Sequence, residues 1–363
     1  MDFVLEFERP LIELERRIDG LRQIERESGA DLSGAIEQLQ QQAGRLQRQI
    51  FAALSPWQRA LLSRHPGRPF TLDYVSRLCT DWTELHGDRA GHEDAAIVCG
   101  LARMDGRPVC IIGHQKGRNT RENLKRNFGM PRPEGYRKAL RVMQLADRFG
   151  LPILAFIDTP GAFPGVDAEA RGQAEAIARN ILEMSTLGVP ILCTVIGEGG
   201  SGGALAIGVG NRVLMLENAI YSVISPEGCA AILWRDRAEG PRAAAALRIT
   251  AQDCLQHGVV DEIVAEPPGG AHRDLDATVA SLGAALRRHL DELAPLDRAA
   301  LRADRYARFR RQGAWEEATI EGAVEGAVEG AADATVDAGT PEAEAPDNVV
   351  ALDGRRAANG ESD

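Results

Sequence analysis

Apolar residues recur at spacings of three and four along roughly the first fifty positions, a spacing typical of amphipathic helices. One stripe begins after Pro10 and a second follows a break at residues 28–33. Two such stripes predict a helical hairpin over residues 1–54, packed either on its own domain or on another subunit. The first stripe is Leu11, Leu14, Ile18 and Leu21, and the second is Leu32, Ile36, Leu39, Ala43, Leu46 and Ile50.

Between residues 55 and 295, short apolar runs alternate with helical patterns, which predicts an α/β fold with parallel strands. A repeat supports this prediction, because GLPIL at 150–154 reappears as GVPIL at 188–192. Each copy continues as a buried type of strand and then breaks into a glycine-containing loop.

Local signals add further elements. Asp105-Gly106 lies between two strand-like runs and predicts a tight β-hairpin turn. Residues 70–88 are predicted to be helical, and residues 167–187 are predicted to form one long helix. A last helix is predicted within residues 296–313.

Composition sets the class of the protein. The 363 residues are 44% hydrophobic, which is ordinary for a globular protein, and the net charge of −11 opposes nucleic-acid binding. Residues 314–363 are mostly Ala, Glu, Gly, Asp and Pro, so this segment is predicted to be a disordered acidic tail.

Six scattered cysteines form no C-x-x-C pair, so no metal site is expected in this chain. Free thiols of this kind favour a reducing compartment. Neither a secretory signal nor an apolar run of membrane-spanning length is visible, and a cytoplasmic protein without a membrane segment is predicted.

The stretch over 189–210 carries the strongest chemical signal, and its sequence is VPILCTVIGEGGSGGALAIGVG. Its glycines satisfy three patterns. Residues 197–202 fit the dinucleotide fingerprint, but Asn211-Arg212 interrupts the helix that such a site requires. Residues 199–203 fit a nucleophile elbow with Ser201 as nucleophile, for which His257 or His272 could serve as base. Alternatively, the backbone N–H groups of Gly202 and Gly203 form an oxyanion hole.

A basic stretch at residues 114–126 stands out in an acidic chain. It is either a solvated surface or a site for ligand phosphates, and we favour phosphate binding by Lys116, Arg118 and Arg121.

Four long segments resemble the α subunit of the carboxyltransferase component of bacterial acetyl-CoA carboxylase. The resemblance extends from the N-terminal helices to about Gln312. The segments are HQKGRNTRENLKRNFGMPRPEGYRKALRVM, FIDTPGAFPGVDAEARGQAEAIARN, GEGGSGGALAIGVGNRV and YSVISPEGCAAILW.

This resemblance implies a crotonase-like ββα superhelix, with a CoA carboxyltransferase domain over residues 55–295. It implies carboxyl transfer from carboxybiotin to acetyl-CoA, giving malonyl-CoA for fatty-acid synthesis. The expected partners are a zinc-ribbon β subunit in an α2β2 heterotetramer, the biotin carboxyl carrier protein and biotin carboxylase.

In this scheme Gly202 and Gly203 stabilise the biotin enolate through their N–H groups. Gly161, Ala162, Gly199 and Gly200 are expected to shape the substrate pocket, and the basic stretch is expected to meet CoA phosphates or the carrier. A serine hydrolase of the same fold, with Ser201 as nucleophile, is the alternative.

Overall fold

Each apolar stripe of the N-terminal segment forms a helix in the computed structural model, which describes residues 3–313. The helices are α1 (Arg9–Ser28) and α2 (Ser33–Ala52). Gly29 ends α1 in a left-handed conformation at φ +69°, which a glycine adopts without steric cost. The apolar side chains of the two helices form one buried cluster.

Two short helices lead from the hairpin to the sheet, α3 (Pro56–Ser63) and α4 (Thr71–Leu78). The prediction of a helix over residues 70–88 is wrong beyond Leu78. The backbone becomes extended at Cys79, and strand β1 (Thr80–Glu84) then pairs with the next strand. Helical spacing of Trp82 and Leu85 cannot reveal this, because pairing with a sheet edge decides the outcome.

One mixed sheet forms the centre of the molecule. The strands that follow β1 are β2 (Ile97–Met104), β3 (Arg107–His114), β4 (Ile153–Thr159), β5 (Ile191–Gly200), β6 (Arg212–Leu216), β7 (Ile220–Ser222) and β8 (Glu262–Val264). Their order in the sheet is β1-β2-β3-β4-β5-β6-β8, with β7 paired to β5. The first three strands are antiparallel and the pairings from β3 onward are parallel. Asp105 and Gly106 form the predicted turn between β2 and β3, both with positive φ.

The sequence repeat lies side by side in the sheet. Ile153 pairs with Ile191 and Leu154 pairs with Leu192, so equivalent residues of the two copies are in register on β4 and β5. The loops that follow the two copies therefore leave the sheet at the same edge.

Helices connect and flank the strands. The predicted single helix over residues 167–187 is divided in two, because Gly172 takes a left-handed conformation at φ +85°. The helices are α5 (Thr120–Lys125), α6 (Pro133–Phe149), α7 (Val166–Ala170), α8 (Gln173–Thr186), α9 (Ser201–Leu205), α10 (Pro226–Trp234), α11 (Gly240–Leu247), α12 (Ala251–Gln256), α13 (Leu275–Leu293) and α14 (Arg298–Arg310).

The last helix is fastened by a buried arginine. Arg305 of α14 donates to the carbonyls of Met184, Leu187 and Val189 and to the side chain of Asn211, at 2.7–2.8 Å. The predicted tail at 314–363 lies outside the described residues. Among the residues that are described, no helix is both long and apolar enough to cross a membrane.

Candidate functional site

A cleft of about 910 Å³ opens where β3, β4 and β5 end. The carboxyl edge of a parallel sheet commonly holds a binding site, because the loops that follow neighbouring strands converge there. Residues after all three strands line this cleft, and residues that follow α3 and residues at the start of α10 lie at its rim. The lining includes Lys116, Gly117, Pro160, Gly161, Ala162, Ser201 and Gly202 from the strand ends, with Arg64, Phe70, Ile177, Glu198 and Glu227 around them.

The glycine block forms one wall. Strand β5 runs through Gly200, and helix α9 begins at Ser201, whose φ of +49° turns the chain sharply. Gly202 lines the cleft, whereas Gly203 is buried against the loop after β4. A β-carbon on Gly203 would lie 2.6 Å from the Ala162 nitrogen, so the two loops touch through their backbones.

Three backbone N–H groups at this junction are without a recorded acceptor in the described part of the chain. Within residues 3–313, the recorded hydrogen bonds include none donated by the backbone N–H of Gly202, Gly203 or Ala162. The first N–H groups of a helix lack helical acceptors, so Gly202 and Gly203 can donate to another group. An oxygen that develops negative charge is a suitable acceptor for such donors.

Gly199 and Gly200 lie behind this wall. Both are buried in β5, and a side chain on Gly200 would collide with the Pro160 carbonyl. Their lack of a side chain lets β5 approach the loop after β4, and neither residue lines the cleft. Their predicted part in substrate binding stays a prediction.

A network of charged side chains lies at the cleft, and most of its members line it. The Nζ atom of Lys116 lies 2.7 Å from Asp158 and 3.6 Å from Glu198. Arg64 contacts Glu198 and Glu227, each at 2.6 Å. Burial opposes the charge of Lys116, but the Asp158 and Glu198 carboxylates outweigh burial and raise its pKa. Lys116 is therefore a cation with partners inside the protein.

Arg118 and Arg121, the other two candidates for phosphate binding, differ in their contacts. Arg118 donates to the carbonyls of Pro66 and Arg68, pairs with Asp73, and its guanidinium lies 4.1 Å from the ring centre of Phe70. Arg121 is exposed near the start of α5. The phosphate prediction is untested, and of the three candidates Arg121 is the one without a recorded partner among the described residues.

A nucleophile elbow requires a base beside Ser201. His257 lines a second cavity of about 540 Å³ together with Ser201, but no hydrogen bond joins them in the described part of the chain. His272 contacts Glu8 at 3.2 Å instead. Helix α9 has five residues, so the dinucleotide pattern also lacks the helix that it needs.

One group among residues 3–313 has the composition of a metal site, namely Glu8, His65 and His272. The two imidazole rings are tilted by 33°, with centroids 4.1 Å apart. Nδ1 of His65 accepts the N–H of Gly67 at 3.0 Å, and its Nε2 lies 3.3 Å from the carbonyl oxygen of Phe3. Both nitrogens of this ring therefore already have partners in the protein. The three side chains form a hydrogen-bonded cluster.

Sequence reasoning missed the acidic members of the cleft network, Asp158 and Glu198. Each is a carboxylate near the end of a buried strand, directly before a glycine-containing loop. A charged residue after a continuous apolar run is a signal that could have identified them, because burial of a carboxylate requires a partner.

Comparison with known proteins places these features in context. A family profile described as acetyl co-enzyme A carboxylase carboxyltransferase-like matches residues 4–313. The chain is 58% identical over 311 residues to the acetyl-coenzyme A carboxylase carboxyl transferase subunit alpha of Syntrophotalea carbinolica, covering 85% of this chain and 98% of that protein. It is also 58% identical to the Thermus thermophilus subunit alpha over 313 residues, covering 86% of this chain and 99% of that protein.

Among solved structures, a transcarboxylase 12S with hydrolysed methylmalonyl-coenzyme A matches with a TM-score of 0.52 and 21% identity. The match covers 63% of this chain and 43% of the transcarboxylase chain. It confirms the predicted fold, a crotonase-like α/β architecture built around a mixed sheet. These relatives give no support to the alternative of a serine hydrolase, which is set aside.

Proposed function

Because the chain belongs to the acetyl-CoA carboxylase carboxyltransferase α-subunit family, we propose that it acts on carboxybiotin and acetyl-CoA to form malonyl-CoA. The identity of 58% over nearly the whole length of two α subunits carries this proposal. Carboxybiotin, held on a separate carrier protein, supplies the carboxyl group. What this chain supplies is the cleft and its hydrogen-bond donors.

Gly202 and Gly203 act through their backbone N–H groups. These donors have no acceptor in residues 3–313 and lie where β5 turns into α9, at the wall of the cleft. In our proposal they donate to the ureido oxygen of biotin and stabilise its negative charge. Fixed donors of this kind contribute several kcal/mol because they need no reorganisation during the reaction.

The loop after β4 adjoins the glycine block at the same wall of the pocket. Gly161 and Ala162 line the cleft and contact the glycine block through their backbones. Once its carboxyl group had left as CO2, biotin would supply a ureido nitrogen able to take the acetyl α-proton, so no side-chain base is required of this chain. Neither Ser201 nor a histidine is given a chemical role in this scheme.

Other subunits complete the enzyme in this proposal. A β subunit with a zinc ribbon supplies the second oxyanion site, and the two chains assemble as α2β2. The biotin carboxyl carrier protein and biotin carboxylase deliver the carboxyl group. Arg121 binds the phosphates of CoA or contacts the carrier protein. The complex works in the cytoplasm.

The reverse reaction tests the proposal directly. The full chain, with and without a zinc-ribbon β subunit, is mixed with malonyl-CoA and the biotin analogue biocytin, and formation of acetyl-CoA is followed. We expect activity only when both subunits are present. Activity of this chain alone would contradict the shared site, and no activity in either mixture would contradict the function.

A further inference from the structure

The ends of β3, β4 and β5 are linked at the cleft by an ion pair and a backbone hydrogen bond to the same carboxylate. Lys116, which follows β3, places Nζ 2.7 Å from Oδ1 of Asp158 near the end of β4. The same oxygen accepts the backbone N–H of Glu198 in β5 at 3.0 Å. A single carboxylate oxygen therefore links three adjacent segments.

These links lie close to the groups that the proposed reaction uses. Asp158 is three residues before Gly161, and Glu198 is four residues before Gly202. Lys116 also contacts the Glu198 side chain at 3.6 Å. The pair thus connects the bases of the two loops that meet at the wall of the cleft.

Two glycines leave room for the pair. A β-carbon on Gly197 would lie 2.5 Å from Oδ1 of Asp158, and one on Gly129 would lie 2.7 Å from Cγ of Lys116. The side chain of Lys116 is 15% exposed and that of Asp158 is 3% exposed. Because Gly197 and Gly129 have no side chains, the carboxylate of Asp158 and the side chain of Lys116 can occupy these positions.

A neighbouring histidine adds a further link. His114 is buried at the end of β3, and its Nδ1 accepts the backbone N–H of Asp158 at 3.3 Å. Asp158 is held through both its side chain and its main chain, so its position is closely defined.

We propose that the Lys116–Asp158 pair is a positioning device, which sets the separation between the Gly161–Ala162 loop and the N–H groups of Gly202 and Gly203. The inference rests on the carboxyltransferase function proposed above. It replaces phosphate binding as the role of Lys116, because the ammonium group already has two carboxylate partners.

Close packing makes the reaction sensitive to this pair. The backbones of Gly203 and Ala162 touch, so a shift of β4 relative to β5 must move the donors. Misplacement of reacting groups by about 1 Å can cost on the order of 10²-fold in rate. Substrate binding that depends on other parts of the cleft is much less affected.

Steady-state kinetics of the complex with the β subunit test the inference. Lys116→Met and Asp158→Asn should each lower kcat of the reverse reaction by about 10²-fold, with little change in KM for malonyl-CoA. The double variant should be no slower than either single variant, because both changes break one link. Lys116→Arg retains the cation and should recover part of kcat.

A matched control distinguishes a positioning role of Lys116 from the general effect of removing a buried lysine. Lys138 is 1% exposed and is paired with Glu93, and neither residue lines the cleft. Lys138→Met should lower thermal stability and leave kcat close to that of the unaltered chain. If a single variant at the pair fails to fold, the double variant, which removes both charges, still provides the measurement.

Hydrogen exchange of the chain alone gives a readout that does not need activity. Amides over 158–165 and 196–207 should exchange faster in Lys116→Met and Asp158→Asn, but not in Lys138→Met. If the unaltered complex transfers no carboxyl group, the proposed function is contradicted. The amide hydrogen exchange rates still decide whether the Lys116–Asp158 pair positions the two loops. A raised KM with unchanged kcat and unchanged exchange would overturn the inference in favour of phosphate binding.

Discussion

Gly203 and Ala162 contact each other through their backbones at the wall of the cleft. A β-carbon on residue 203 would lie 2.6 Å from the Ala162 nitrogen, closer than real β-carbons approach such atoms. The position next to it is different, since a β-carbon on Gly202 would meet only Ile177, at 3.7 Å. Two adjacent glycines therefore have different physical roles.

This difference predicts that alanine has different effects at residue 203 and at residue 202. Gly203→Ala should lower the free energy of unfolding by about 1–3 kcal/mol through overpacking, and should reduce carboxyl transfer by about 10²-fold. Gly202→Ala should preserve the free energy of unfolding because its methyl group makes an ordinary contact. Denaturant unfolding and the reverse assay measure the two effects. Equal losses in both variants would contradict the packing account.

A backbone substitution tests the donor itself. Replacing the amide between Ser201 and Gly202 by an ester removes one N–H and adds no side chain. Loss of a single oxyanion donor typically costs about 10²–10³-fold in kcat, and we expect a reduction of that size. The chain prepared in the same way with the ordinary amide serves as the control that retains the N–H. An ester variant with unchanged kcat would remove Gly202 from the proposed mechanism.

Two substitutions at Ser201 distinguish a role of its hydroxyl group from a role of its backbone conformation. Its φ of +49° is unusual for a residue with a β-carbon. Ser201→Ala should retain most activity and stability, because no hydrogen bond of the hydroxyl is recorded in residues 3–313. Ser201→Val should be less stable by about 1–3 kcal/mol, since a branched side chain resists this conformation. Loss of transfer in a stable Ser201→Ala variant would contradict this view.

Acid stability should depend on the buried pair of Arg68 and Glu266, whose atoms approach to 2.7 Å. Burial alone raises the pKa of Glu266, but the Arg68 guanidinium outweighs it and lowers the pKa from 4.5 to about 2. The unfolded chain binds the proton first as pH falls. The stabilisation is therefore complete above about pH 4.5 and is lost as pH falls towards 2, at up to about 1.4 kcal/mol per pH unit.

Glu266→Gln provides the comparison for this prediction. At neutral pH it should be less stable by about 3–5 kcal/mol, because Arg68 is left buried without its anion. The difference between the two chains should shrink as pH falls from 5 to 3, as measured by denaturant unfolding at each pH. A difference that stays constant over this range would contradict the lowered pKa.

Gly20 and Gly172 should respond in opposite directions to substitution by alanine. Gly20 lies inside α1 with open space around its α-carbon, so Gly20→Ala should stabilise the chain by about 0.5–1 kcal/mol. Gly172 has φ +85°, and Gly172→Ala should destabilise it by about 1 kcal/mol or more. Thermal unfolding of the two variants measures this contrast, and shifts of the same sign would contradict it.

Sequence periodicity and local signals determined most of the elements. The spacing of Leu11, Leu14 and Ile18 predicted α1, and the repeat of GLPIL and GVPIL predicted neighbouring parallel strands. Asp105-Gly106 predicted its turn, because a tight hairpin requires positive φ at both positions. The long family-like segments predicted the fold and the family, which the comparisons confirm.

Tertiary structure alone decided which side chains meet. Asp158 and Lys116 are 42 residues apart, and no local pattern shows that a buried carboxylate takes that lysine as its partner. Likewise, pairing with β2 made a strand of residues 80–84, where helical spacing suggested a helix. Local propensity depends on neighbours in sequence, whereas burial and charge pairing depend on neighbours in space, and only the assembled sheet brings those together.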